Sequence, residues 1–173
     1  MQKAFFIDRD GVINTDKNYV YKKEDFEFID GVMDALLYLQ EKEFKLFIIT
    51  NQSGIGRAYY KKEDFEKLTS WMLKEFEKNS IKIHEVKYCP HSPESNCNCR
   101  KPKTGMIDEI YKAYDIDLKN SWLIGDKDSD IKCAQNAKIK NTIQVKSGQK
   151  FDETKSQATY VLNSIKDIKK IKL

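Results

Sequence analysis

The sequence predicts an α/β fold, a three-layer sandwich around a mostly parallel sheet, and three observations point to it. Apolar runs alternate with amphipathic stretches from one end of the chain to the other. Three of those runs end in polar residues, Asp8 with Asp10, Thr50 with Asn51, and Asp126 with Asp130. Ligands gather in this way beyond the carboxyl ends of parallel strands. Finally, 173 residues without repeats or low-complexity linkers suit a single domain, 1–173, able to bury a substantial core.

Taken in order, KAFFID (3–8) reads as the first strand. A helix follows over 30–43, where Val32, Leu36, Leu37 and Leu39 fall close to one face. FKLFIIT (44–50) is the next strand, and Phe65, Leu68, Met72, Leu73 and Phe76 mark a second helix over 62–79. The strand EVKYC (85–89), preceded by an unpartnered His84, leads to a helix over 105–114 that Thr104 is suited to cap. The strand SWLIGD (121–126), a helix over 129–137, the strand NTIQV (141–145) and a weaker strand at 159–163 complete the alternation. Trp71, Trp122 and Cys133 read as core residues. The lysine-rich end, 164–173, reads as an amphipathic terminal helix with a solvated basic face in preference to a polyanion-binding tail.

Composition narrows the function classes. Hydrophobic residues are 40% and charged residues 34%, and the net charge of +4 comes from 31 basic against 27 acidic residues. That excess is too mild to argue for nucleic acid by itself, though it suits an anionic substrate. The first apolar run meets Asp8 too early for a signal-peptide core, and no run approaches the ~18 apolar residues of a membrane span. A cytoplasmic monomer that binds neither membrane nor nucleic acid is the expectation. Its thiols would stay reduced.

The stretch YCPHSPESNCNCRKPK (88–103) then stands out, with Cys89, His91, Cys97 and Cys99 in a C-x-H-x5-C-x-C array. Three thiolates and one imidazole make a closed tetrahedral zinc site with no open catalytic position, so the metal would be structural. Arg100 and Lys101 follow Cys99 directly, and zinc would brace the loop that carries them.

Asp8 and Asp10 also look like the start of a calcium loop, but the pattern fails. Gly11 stands at loop position four, Tyr19 at position twelve, and a strand precedes the loop. Instead, DRDGV after an apolar strand, ITNQSG (49–54), RKPK (100–103) and GDKDSD (125–130) resemble the four motifs of the haloacid dehalogenase (HAD) phosphatase superfamily. The resemblance implies a Rossmann-like sheet. It makes Asp8 a nucleophile that forms an aspartyl-phosphate and Asp10 the general acid and base. It puts catalytic magnesium on Asp8, the backbone carbonyl of Asp10 and Asp126. Lys101 and Thr50 would stabilise the transferring phosphoryl group. A phosphate facing several carboxylates is repelled by about 4 kcal/mol per charge pair at ~4 Å for a permittivity near ~20, which a divalent cation relieves.

The zinc array joined to CRKPKTGM, with DRDGVIN and TNQSGIGR, is similar to the D-glycero-D-manno-heptose-1,7-bisphosphate 7-phosphatase family. Histidinol-phosphate phosphatase is a related alternative with the same loop. Members of the heptose family act in nucleotide-activated heptose synthesis for surface polysaccharide, lipopolysaccharide included. The resemblance implies a small phosphorylated sugar as substrate, contacted by Asp16, Lys17, Asn18, Tyr19, Asn51, Gln52, Ser53, Arg100 and Lys127. Two features depart from the family pattern: Thr104 stands where proline is common, and the segment between His91 and Cys97 is short. Strands and helices fill the intervals between motifs, so no cap domain is expected. A zinc-stabilised nucleic-acid-binding or nucleic-acid-end phosphatase module is the distant alternative, for which a clustered basic and aromatic face is wanting.

Overall fold

Ala4–Ile7 forms β1, and its alternation divides the molecule into layers. In the computed structural model, which describes Met1–Leu173, Phe5 and Ile7 point into one apolar cluster and Ala4 and Phe6 into another. The same alternation runs through β2 (Lys45–Asn51), where Leu46 and Ile48 face the first cluster and Phe47 and Ile49 the second. β4 (Trp122–Gly125) repeats it with Trp122 and Ile124 against Leu123. A sheet apolar on both faces needs helices on both faces, and these strands read as continuous apolar runs for that reason.

With β3 (Ile83–Cys89), β5 (Asn141–Val145) and β6 (Tyr160–Leu162), the sheet has six strands in the order β3-β2-β1-β4-β5-β6. Every neighbouring pair is parallel, so the sheet is wholly rather than mostly parallel. α1 (Val32–Glu41) and α3 (Lys62–Lys78) contribute Leu36, Leu39, Leu68, Met72 and Phe76 to the first cluster. α4 (Gly105–Tyr114) and α5 (Asp128–Asn136) contribute Met106, Ile107, Ile110, Cys133 and Ala134 to the second. A four-residue α2 (Ser53–Gly56), absent from the sequence reading, continues directly from β2. Between Asp10 and Thr50, α1 and the start of β2 are joined to β1 by a long loop, 11–31, that carries only the short 3₁₀ turn Lys23–Asp25, so loops border the carboxyl edge of the sheet.

Register decides what meets at that edge. Ile7 pairs with Ile48 on one side and Ile124 on the other, so Asp8, Thr50 and Asp126 emerge from adjacent strands at the same end. No helix is long and apolar enough to cross a membrane.

Three local features differ in detail from expectation. The terminal amphipathic helix is 3₁₀ and spans Ile165–Lys170, shorter than 164–173. Ile165 and Ile168 are buried and Ile171 packs beside them, an apolar period of three that matches three residues per turn. Its Lys166 and Lys170 pair with Asp30 and Asp167. Thr104 does not cap α4 through its side chain: its backbone is already helical, and its hydroxyl donates to Asp108 Oδ2 at 2.7 Å. His84 lies inside β3 rather than before it, with its ring against Phe47. Cys133 is buried in the second cluster, its thiol donating to the Lys103 carbonyl.

Candidate active site

Lys101 organises the buried centre. Its ammonium donates to Asp8 Oδ1 at 2.8 Å and to the Ile49 carbonyl at 2.9 Å, and pairs with Asp130 Oδ1 at 2.7 Å. Three donors find three acceptors. Burial opposes the charge on Lys101, but Asp130 and Asp8 outweigh it and hold its pKa above the usual lysine value. Asn51 fixes the backbone of the same residue, accepting from the Lys101 N–H at 3.0 Å and donating to its carbonyl at 3.3 Å. Asp130, which sequence reasoning left without a role, is therefore a counterion to Lys101, and its second oxygen accepts from the Lys127 N–H at the start of α5.

Asp10 sits in a different environment. Its Oδ1 accepts from Arg9 Nη2 at 2.8 Å and Asn14 Nδ2 at 3.0 Å, and its Oδ2 accepts from Gln52 Nε2 at 3.1 Å. Burial works against its charge, but Arg9 and these donors prevail and hold the pKa below the ordinary carboxyl value. Arg9 is itself fully buried and anchored on the Val20 carbonyl. Thr50, also buried, accepts from Gln52 Nε2 at 2.8 Å.

Asp126 is buried at the end of β4, with Oδ2 accepting from the Gln149 N–H at 2.7 Å. Its Oδ1 has no hydrogen-bond partner, and Lys127 Nζ lies 3.9 Å away. Burial and the neighbouring Asp8 raise its pKa to about 8. Burial likewise pushes Asp8 up, against the pull of Lys101. Oxygens of Asp8, Asp126 and Asp130 lie within 4.8 Å of one another. A buried carboxylate oxygen left unpaired among acids suits a hard divalent cation, so Asp8 and Asp126 fit magnesium, while Asp130 is already taken by Lys101 and the Lys127 N–H. Room for the Asp126 carboxylate depends on Gly11, with φ +88°, where a Cβ would lie 2.7 Å from Asp126 Oδ2.

Beside this centre opens a cavity of about 340 Å³. Its lining includes Asp10 and Lys101, and of the sequence-predicted substrate residues Asp16, Asn18, Tyr19, Asn51, Gln52, Ser53, Arg100 and Lys127. Lys17 is not among them, and its ammonium pairs with Glu27 at 3.1 Å on the surface. Arg100 Nη1 is buried without a partner, a donor suited to an anion. Sequence reasoning missed Tyr60, Ser129 and Gln149. Gln149 bridges Asp126 and Asp16, donating from its side chain to Asp16 Oδ2 at 2.6 Å. The signal for it was available: β5 also ends at this edge, and SGQK is the loop that follows.

The Cys–His loop closes on itself. All four cysteines are free thiols, and the ligand atoms of Cys89, His91, Cys97 and Cys99 lie within 4.8 Å of one another. A tetrahedron with Zn–S of about 2.3 Å and Zn–N of about 2.05 Å has S–S edges near ~3.8 Å and S–N edges near ~3.6 Å. The Cys89–Cys97 sulfurs are 3.7 Å apart, and His91 Nδ1 is 3.5 Å from Cys89 Sγ and 3.2 Å from Cys99 Sγ. These separations fit one zinc ion with Nδ1 as the imidazole ligand.

Known proteins resemble this chain in sequence and in fold. The HAD-hydrolase-like family model matches residues 98–168, which span the cysteine loop's end, Lys101 and Asp126. The D-glycero-alpha-D-manno-heptose-1,7-bisphosphate 7-phosphatase of Campylobacter jejuni is 52% identical over 148 residues, 86% of this chain and 85% of the relative. The chain belongs to the heptose-1,7-bisphosphate 7-phosphatase family of the HAD superfamily. Within this family, the beta-anomer phosphatase of Pasteurella multocida is 42% identical, covering 99% of this chain and 97% of the relative. The D,D-heptose 1,7-bisphosphate phosphatase of B. bronchiseptica, solved with magnesium and phosphate, superimposes with a TM-score of 0.86 at 25% identity, over 97% of this chain and 96% of the other.

Proposed function

We propose that this chain is a magnesium-dependent phosphatase that removes the 7-phosphate of D-glycero-D-manno-heptose 1,7-bisphosphate. The observation that carries the reading is one buried carboxylate, Asp8, held by Lys101 beside a polar cavity to which Arg100, Lys101 and Lys127 contribute, in a chain 52% identical to a named heptose bisphosphatase. Lys101 occupies Asp8 Oδ1, which leaves Oδ2 to attack phosphorus and form the aspartyl-phosphate. Asp10 rests as a carboxylate. A proton taken up with the substrate passes from Asp10 to the leaving oxygen as Asp8 attacks, and Asp10, again a carboxylate, then takes one from the water that cleaves the phosphorus–Asp8 bond. Thr50 and Lys101 donate to the phosphoryl oxygens. Asp8, the Asp10 carbonyl and Asp126 would hold magnesium, which when bound offsets the charge of the carboxylates and polarises the phosphoryl group.

Asp16, Asn18, Tyr19 and Ser53 face the sugar, Gln52 lines the same cavity with its carboxamide held by Asp10, Thr50 and Tyr60, and Arg100 and Lys127 receive the second phosphate. Lys17, paired with Glu27, would reach it only by releasing that partner. The zinc is structural and braces Arg100 and Lys101. The product feeds nucleotide-activated heptose synthesis for surface polysaccharide, in the cytoplasm, by a monomer without nucleic-acid or membrane partners. Asp8→Asn tests the mechanism: turnover is abolished while circular dichroism and melting stay native-like. Substantial magnesium-dependent hydrolysis by that variant removes Asp8 as the nucleophile.

A further inference from the structure

Gln52 stands between the two groups that the proposed function makes responsible for proton transfer and phosphoryl binding. The residue is 3% exposed, and its one side-chain nitrogen serves both Asp10 Oδ2 at 3.1 Å and Thr50 Oγ1 at 2.8 Å. Because that nitrogen donates into Thr50 Oγ1, the threonine's own proton is free to point elsewhere, toward a phosphoryl oxygen. The amide's other end is equally buried and needs a donor. It finds one in Tyr60, whose hydroxyl donates to Gln52 Oε1 at 2.6 Å.

We infer that Tyr60 is a positioning residue, holding the Gln52 carboxamide in the orientation that serves Asp10 and Thr50. Without the tyrosine hydroxyl, Gln52 Oε1 is a buried acceptor with no partner, a state that costs about 1–3 kcal/mol. Rotation of the side chain toward the adjoining cavity relieves that cost, and it takes the donor away from Asp10 and Thr50 together. Polarisation through the amide adds to the effect, since a carbonyl that accepts strengthens the N–H that donates.

The ring is held as firmly as the inference requires. It stacks on Tyr21 with centroids 4.8 Å apart and planes 9° from parallel. It also lies so close over Gly54 that a Cβ at that position would overlap it. Burial raises the phenol pKa to about 12, so the hydroxyl remains a donor at any working pH. Tyr60 comes from the connection between α2 and α3, and none of its hydrogen bonds goes directly to Asp10 or Thr50. Its influence on them passes through Gln52.

This inference rests on the roles proposed for Asp10 and Thr50, and a double-mutant cycle separates its failure from theirs. Tyr60→Phe keeps the ring and removes one hydrogen bond. kcat/KM should fall about 3- to 10-fold, the rate equivalent of one buried hydrogen bond. In a Gln52→Leu background the same change should cost less than about twofold, because the partner through which it acts is gone. A second readout needs no substrate. The side-chain amide protons of Gln52, followed by ¹⁵N NMR, should exchange slowly in the unsubstituted protein and rapidly in Tyr60→Phe. Losses that multiply in the double variant, or a Gln52 amide unchanged by Tyr60→Phe, overturn the inference. Absence of turnover of any phosphate ester by the unsubstituted protein overturns the proposed function instead, and the amide exchange still decides whether Tyr60 holds Gln52.

Discussion

Asp126→Asn should make the magnesium-free protein more stable while destroying its activity. The acid is buried beside Asp8 and Asp130, and one of its oxygens has no partner. Its pKa is raised from 3.8 to about 8, so between those values the folded chain holds a proton that the unfolded chain has released. Stability therefore falls as pH rises through that window. At ~1.36 kcal/mol per pH unit the cost by pH 7 is at most about 4 kcal/mol, and relaxation around the site reduces it to about half, ~2 kcal/mol. Asparagine carries no charge, still offers an oxygen to the Gln149 N–H, and turns an amide toward Asp8. For a chain of this size the gain corresponds to a melting temperature about 4–8 °C higher near pH 7. Near pH 5 the gain is smaller, since the unfolded chain is then closer to its own protonation range. The assay is a thermal melt across pH 5–8 in magnesium-free buffer that leaves the zinc in place, repeated with magnesium added. The unsubstituted protein should be stabilised by magnesium and the variant should not. A variant less stable than the parent at neutral pH would refute the reasoning, because Asp126 would then be contributing to the fold without a cation.

Two further outcomes test other parts of the site. Metal analysis of freshly purified, unchelated protein should find one zinc per chain that magnesium does not displace; Cys97→Ser should lower both zinc content and turnover, since Arg100 and Lys101 follow Cys99 directly. Arg100→Ala should reduce kcat/KM for a bisphosphate about 10- to 100-fold, the value of a charge-assisted hydrogen bond, while hydrolysis of a simple aryl monophosphate changes little. Equal losses on both substrates would remove Arg100 from recognition of the second anion.

Much of the fold was legible because parallel strands align their ends. Asp8, Thr50 and Asp126 could be grouped from sequence since each follows an apolar run, and the pairing of Ile7 with Ile48 and Ile124 puts them on neighbouring strands. The cysteine loop was legible from spacing alone, because its four ligand atoms come from one short segment. What escaped was set by partners distant in sequence. Gln149 reaches Asp16 across 133 residues; Lys101, which did not escape, meets Asp8 across 93. Lys101 had a motif to mark it, whereas Gln149 had only its place after a strand. Lys17 and Asn18 are neighbours in sequence, yet Asn18 lines the cavity while Lys17 lies outside it and pairs with Glu27. The terminal helix was legible as amphipathic, but its 3₁₀ type was not, because the three-residue repeat of Ile165, Ile168 and Ile171 lies close to an α-helical period over so short a stretch.

The central claim is tested most directly by offering the enzyme heptose 1,7-bisphosphate, as both anomers, beside histidinol phosphate, and following products by ³¹P NMR. The account predicts that the heptose is preferred and that the 7-phosphate is released while the anomeric phosphate remains. Faster hydrolysis of histidinol phosphate, or release of the anomeric phosphate first, would contradict it.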